Sequence, residues 1–305
     1  MKSGPRERRR LRINALMTGA FSVAGWVAIV FIFLIFLFTF RETAPVLNLP
    51  AMKAFFLARP PVWQPTSDIP KLSMIPIILG TLKATVVGLL FACPVGVAAA
   101  LFSSEFAPPK LREVIKPVIE LLAGIPSVVM GFFALIILAT WLQDAFGFVY
   151  RLNAINAGLA LGFALVPIVY TISEDGLAAV PRSYREASYA LGASRLQTAM
   201  KVVLPAAAPA VFASFVLAFG RAIGETMILL MAGGNAAITS LTLLDPLRTL
   251  SATIAAEMGE VVVGGEHYGA LFFMGTLLFV ITFISNSFGQ WVIRNMQSRM
   301  QGGAA

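Results

Sequence analysis

The sequence predicts an all-α membrane protein with six transmembrane helices and a short helix outside the bilayer. Three observations carry this. Of the 305 residues, 58% are hydrophobic, well above the roughly 45–50% of soluble domains. Charged residues make up 12%, roughly half the usual share. The apolar residues also gather into six blocks, each close to the about 20 residues that a helix needs to cross the hydrocarbon core.

Residues 1–12 form a basic amino end, expected in the cytoplasm, with Lys2, Arg6, Arg8, Arg9, Arg10 and Arg12. The apolar run 13–40 is about twice the length of a signal core and lacks a small-residue cleavage site, so it reads as the first span. Residues 41–74 form a proline-rich outer loop with room for a short helix at 52–58. The second span covers 75–102, and Pro94 and Gly96 are expected to kink it. A polar turn, 103–116, leads into a third span that runs to residue 142 through Gly124-Ile125-Pro126-Ser127. After a short outer loop the fourth span covers 154–172. Residues 181–205 are a polar, mostly cationic insert, and the fifth span occupies 206–231. A second outer segment, 233–267, contains an amphipathic helical stretch at 251–258 that is too short to span. The sixth span covers 268–293.

Orientation follows from the basic residues. With the amino end inside, Lys110, Arg112, Lys116, Arg182, Arg185, Arg195, Lys201, Arg294 and Arg299 join the amino-terminal cluster on the cytoplasmic side. The outer segments hold Arg41, Lys53, Arg59, Lys71, Arg151 and Arg248. That bias places both termini and the 181–205 insert in the cytoplasm. It also accounts for the net charge of +8 without a nucleic-acid partner, since no basic patch carries interleaved aromatics.

Several chemistries are excluded. Cys93 is the only cysteine and His267 the only histidine. An intrachain disulfide is impossible, and so is a zinc site built from histidines and cysteines. No phosphate-cradling G-x-x-x-x-G-K-[ST] loop occurs, so any ATP hydrolysis belongs to another polypeptide. No metal and no cofactor are expected. His267 reads as a surface histidine at a helix start.

The informative charges lie in the fifth span, in Gly220-Arg221-Ala222-Ile223-Gly224-Glu225-Thr226. Arg221 falls about 22 Å along a helix from the start of that span, and Glu225 one turn further on the same face, in ion-pair reach. A charge at that depth costs about 2.5–3.5 kcal/mol or more, and faces a cavity or a partner. Arginine's planar fork suits a phosphate-like anion, so Arg221, Glu225 and Thr226 are candidates for an anion path. A purely structural Arg–Glu pair fits the same residues. Gly220 and Gly224 are expected to admit another helix closely. Lys83, two turns into the second span, either lines the same path or snorkels outward. Gly124, Pro126 and Ser127 interrupt the third span, as a cavity wall or as a packing kink, and Glu120 just before them has no assigned role. Met227 and Met231 read as packing residues.

The insert begins at Pro181, suited to a helix start, and reaches Gly192, suited to a helix end. An amphipathic helix between them, tied to spans at both ends, cannot move without moving those spans. This insert resembles the EAA loop of ATP-binding-cassette (ABC) importer permeases, through Glu186, Ala187, Ser188, Gly192, Val202, Leu204 and Pro205. Ser188 stands for the family's second alanine and Val202 for its isoleucine. The resemblance makes Arg185, Glu186, Ala187, Ser188 and Gly192 the candidate ATPase-coupling residues. Further phrases resemble the PstC-type permease of the high-affinity phosphate importer. They are Gly124 to Val129, Gly220 to Met227, Asp245-Pro246-Leu247-Arg248-Thr249-Leu250, and Ile254-Ala255-Ala256-Glu257-Met258-Gly259. The first two are shared with the sister PstA-type permease. The resemblance implies the type I importer permease fold and inorganic phosphate as substrate. It further implies a PstA-type second permease, a PstB-type ATPase dimer and a PstS-type phosphate-binding protein as partners in the bacterial inner membrane. Alternatives are the PstA-type permease, a permease for another oxyanion, or an ion-coupled secondary anion transporter.

Overall fold

The computed structural model describes residues 5–302; Lys2 of the expected basic amino end lies outside them. Helix α1 (Pro5–Thr43) starts inside the basic segment and continues through the first apolar run. Its spanning part, from Leu16, is mostly exposed, as suits a lipid-facing helix, and meets the rest of the chain where Phe36 and Phe38 pack on Phe279 and Phe272. A short helix, α2 (Leu49–Leu57), follows, capped by Asn48, whose side chain accepts from the Ala51 N–H at 2.8 Å. The proline-rich loop also holds a two-residue antiparallel hairpin, β1 (Trp63–Gln64) with β2 (Lys71–Leu72), which the sequence reading did not anticipate.

Helix α3 (Ile75–Leu101) carries Pro94 inside it without a break and ends in a π turn, Phe102–Phe106. Helix α4 (Pro109–Ala123) comes next. Helix α5 (Ser127–Phe133), a π turn at Ala134–Leu138 and α6 (Ala139–Phe146) form one continuous span. Helix α7 (Ala154–Ala178) leads to two short helices, α8 (Arg182–Ala190) and α9 (Arg195–Thr198). The chain rises through α10 (Leu204–Ala206) and α11 (Ala208–Gly224) to α12 (Met227–Ala232). Helix α13 (Leu250–Glu257) precedes the long α14 (Glu266–Gly302). Among the described residues, five helices are long and apolar enough to cross a membrane. A sixth span arises where Arg195–Ala206 and Ala208–Gly224 meet at a 67° bend. The expected count of six is met this way.

Two spans differ from the sequence reading. The third does not begin near residue 117: 109–123 is a separate amphipathic helix, broken from α5 at Gly124-Ile125-Pro126. Pro126 is extended, at ψ 139°, and starts a new helix after it. Leu111, Val114, Val118 and Leu121 form an exposed stripe at helical spacing, while Arg112 and Lys116 reach back to α7. There they meet the Glu174 carboxylate, only 1% exposed, with Lys116 Nζ at 3.2 Å. The hydrogen bond to Glu174 holds the Lys116 ammonium above the usual lysine range. The fifth span is likewise not one helix, because α11 stops at Gly224 and α12 begins at Met227.

The centre of the bundle is the seam between α3 and α7. A Cβ on Gly158 would sit 2.4 Å from the Val87 side chain, and one on Gly162 2.7 Å from Phe91. These two glycines, four apart, let the backbones meet, as small residues do between membrane helices. Within this chain the close approach is therefore here, and no helix of the same chain comes as near to Gly220 and Gly224. Gly220 has its first neighbour at 3.5 Å and Gly224 has none within 4 Å. Around the seam, Ala84, Ala92, Leu161, Leu165, Ala218 and Ile228 form the core. A second cluster, with Phe55, Trp63, Met74 and Met274, joins the loop helices to α14.

Candidate functional site

The helix predicted in the 181–205 insert is α8. Pro181 precedes it with extended backbone, and Gly192 closes it at φ +83°, the left-handed turn that glycine takes freely. Glu186 and Ala187 are exposed, and so are Tyr184, Tyr189 and Leu191, the last at 90%. The opposite face is anchored. Ser188 is buried and shares a 2.9 Å hydrogen bond with the Thr198 hydroxyl. Arg185 also turns inward. Its guanidinium donates to both oxygens of Glu105 at 2.6–3.3 Å, to the Val180 carbonyl at 2.7 Å and to the Leu177 carbonyl at 3.0 Å. The hydrogen bond to Glu105 raises the Arg185 pKa further. Ser194 and Gln197 complete a capping box at the start of α9.

At the α11–α12 break the expected ion pair is absent: among the described residues, none joins Arg221 to Glu225. One helical turn would have brought them together, but the helix has ended. Glu225 is extended at φ −67°, ψ 130°, and buried; its carboxylate accepts from the Thr226 N–H at 3.2 Å. Its carbonyl accepts from the Ser251 hydroxyl at 2.6 Å, which ties the break to α13. The Thr226 hydroxyl donates to the Gly224 carbonyl at 3.2 Å. Arg221, in the last turn of α11, is exposed. A cation placed so in a membrane span needs a partner chain or water around it.

Lys83 does not snorkel away from the chain. It is buried, and its ammonium donates to the Thr242 carbonyl at 3.2 Å. Ser127 opens α5 and is half-buried, beside an open concavity lined by Pro117, Glu120, Gly124 and Pro126. Met227 and Met231 pack on Gly131. His267 is not a free surface histidine. Its Nε2 lies 2.7 Å from Glu257, which also pairs with Arg248 at 2.6 Å and accepts from the Trp63 indole at 3.2 Å. The two phrases around Arg248 and Glu257 thus meet in one cluster. Sequence reading missed Glu105 and Glu174 altogether. Each is a carboxylate at the end of a long apolar run, which was the available signal.

The sequence profile of the family described as "Binding-protein-dependent transport system inner membrane component" matches residues 92–298. The chain belongs to this family. Its members are transport permease components, and the chain is a multi-pass inner-membrane protein. Among curated relatives, the "Probable ABC transporter permease protein YqgH" of Bacillus subtilis (strain 168) is 37% identical over 222 residues, 73% of this chain and 72% of that one. The "Phosphate transport system permease protein PstC" of Mesorhizobium japonicum (strain LMG 29417 / CECT 9101 / MAFF 303099) is 31% identical over 256 residues, 78% and 77% of the two chains. Among solved structures, a bacterial alginate ABC transporter with its alginate-bound periplasmic protein superposes with a TM-score of 0.67 at 13% identity, covering 94% of this chain and 97% of that one. The inward-facing MetNI methionine ABC transporter gives 0.59 at 19%, covering 73% and 95%. The fold is thus that of ABC importer permeases of the binding-protein-dependent family, with the all-α character the sequence predicted.

Proposed function

We propose that this chain is a permease subunit of an ATP-driven inorganic phosphate importer. The observation that carries the reading is α8: an exposed helix, closed by a left-handed glycine, fixed to the spans through its buried face. Glu186, Ala187, Tyr184 and Leu191 form the surface for a separate ATPase, a PstB-type dimer. Arg185, Ser188 and Gly192 hold that surface in place. The substrate class rests on the relatives named as PstC phosphate permeases, in Mesorhizobium japonicum and in Xylella fastidiosa (strain 9a5c) at 32% identity, and on Arg221. A guanidinium offsets the desolvation of an oxyanion and grips it with paired donors. Thr226 lies at the helix break that follows Arg221, and Ser127 and Lys83 are further candidates for the path. A PstA-type second permease covers the exposed side of Arg221, and a PstS-type protein delivers phosphate to the outer face. ATP binding closes the ATPase, α8 is drawn with it, and the spans open outward; hydrolysis reverses this.

Affinity purification of the tagged chain from membranes tests the reading. An ATPase subunit should copurify and be lost on changing Tyr184 and Leu191 to serine. Purification of a chain that transports phosphate on an ion gradient, with no ATPase attached, would refute it.

A further inference from the structure

The Arg185–Glu105 contact joins parts of the chain that are 80 positions apart. Glu105 sits in the π turn that ends α3, and its side chain is 6% exposed. π turns re-aim a side chain out of its helical register, and here the turn brings the carboxylate under α8. A second contact grips the same turn, since the Arg195 guanidinium lies 5.6 Å from the centre of the Phe106 ring. The Ser104 hydroxyl donates to Glu105 at 2.9 Å and braces the carboxylate.

The other end of α3 is equally fixed. The Arg248 carbonyl rests on Gly80, where an added Cβ would come within 2.2 Å of it. The Leu250 N–H donates to the Thr81 hydroxyl at 3.0 Å. From there Ser251 reaches the Glu225 carbonyl, at the break beside Arg221. Between Thr81 and Glu105 the helix is unbroken over about 36 Å.

We propose that Arg185 and Glu105 are positioning residues that link α8 to α3, so that a displacement of α8 travels along α3 to residues 248–251 beside the α11–α12 break. This rests on the reading of α8 as the ATPase-docking helix. Helix α7 follows α8 through the chain itself and packs along α3 at the Gly158–Gly162 seam; the ion pair adds a direct joint from α8 to the turn that ends α3. Bidentate contact between a planar guanidinium and a carboxylate resists rotation as well as separation, which suits a joint under load.

The test uses the assembled transporter in proteoliposomes, with Cys93→Ser as background. Spin labels at Val149 and Val262, both exposed loop positions on the side of residues 248–251, report that end of the molecule. Phosphate moved per ATP hydrolysed reports coupling. In Glu105→Gln, hydrolysis should persist, the ATP-dependent change in label distance should shrink, and phosphate per ATP should fall by about tenfold, within the range of ordinary coupling energies. Arg185→Lys, which keeps charge without the fork, should fall between the two. The exchange of Arg185→Glu with Glu105→Arg should recover part of the loss. A Glu105→Gln protein with normal label movement and normal phosphate per ATP overturns the proposal. Failure of Glu105→Gln to assemble also overturns it, in favour of a purely structural pair. A wild-type complex that shows no ATP-dependent uptake counts instead against the importer reading.

Discussion

Arg221 is exposed within its own chain and, among the described residues, pairs with no carboxylate, so its removal orphans none of them. Arg221→Leu should therefore leave the fold within about 0.5 kcal/mol of wild type, as for a surface substitution, while phosphate uptake is lost. Arg221→Lys should reduce uptake without abolishing it. Thermal unfolding in detergent beside uptake per assembled complex separates the two effects; a large stability loss would return Arg221 to a structural role. Gly192 makes the complementary case. It has open space around it, so Gly192→Val costs only its backbone conformation, about 1–3 kcal/mol. The protein should insert normally yet bind its ATPase weakly, as copurification would show. Gly192 was legible in the sequence because turn chemistry is local. The break at Glu225 was not: no proline marks the end of α11, and the break is held by Ser251, which lies 26 positions further on.

At the scale of elements, α4 was misread as the start of a span because its stripe from Leu111 to Leu121 continues the apolar count of α5. Its partner, Glu174, is remote in sequence and invisible to any local pattern. The clamp they form should be asymmetric. Glu174→Ala releases two cations that are each 40% exposed and rehydrate easily. Replacing Arg112 and Lys116 together with alanine leaves a buried carboxylate without cations, a loss of about 3–5 kcal/mol by the usual cost of an uncompensated buried charge. Hydrogen exchange of 109–123 should rise in both variants, with melting temperature falling further in the second; the reverse order would contradict the clamp. The α3–α7 seam was written in Gly158 and Gly162, but glycine pairs are common in spans, and only the structure shows which meet a neighbour. Gly158→Val should destabilise by about 1–3 kcal/mol through overpacking against Val87, as a melting shift would report.

For the whole molecule, the six spans, the helix in the 181–205 insert and the family were all legible, since hydropathy, charge bias and motif spacing are properties of short stretches. The Arg185–Glu105 and Arg248–Glu257 joints were not, because they depend on which ends of distant helices meet. Orientation is a prediction on the same scale. In a Cys93→Ser background, a cysteine at Ser194 should be labelled only from the cytoplasm and one at Ile69 only from outside, in keeping with the bias of lysine and arginine. The account as a whole stands on phosphate movement driven by ATP through this chain. Radiolabelled phosphate uptake into proteoliposomes holding the purified complex measures it directly. The account predicts uptake that requires ATP inside, requires the phosphate-binding protein outside, and ignores the collapse of ion gradients. Uptake that continues without ATP and stops when the gradients are collapsed would contradict it.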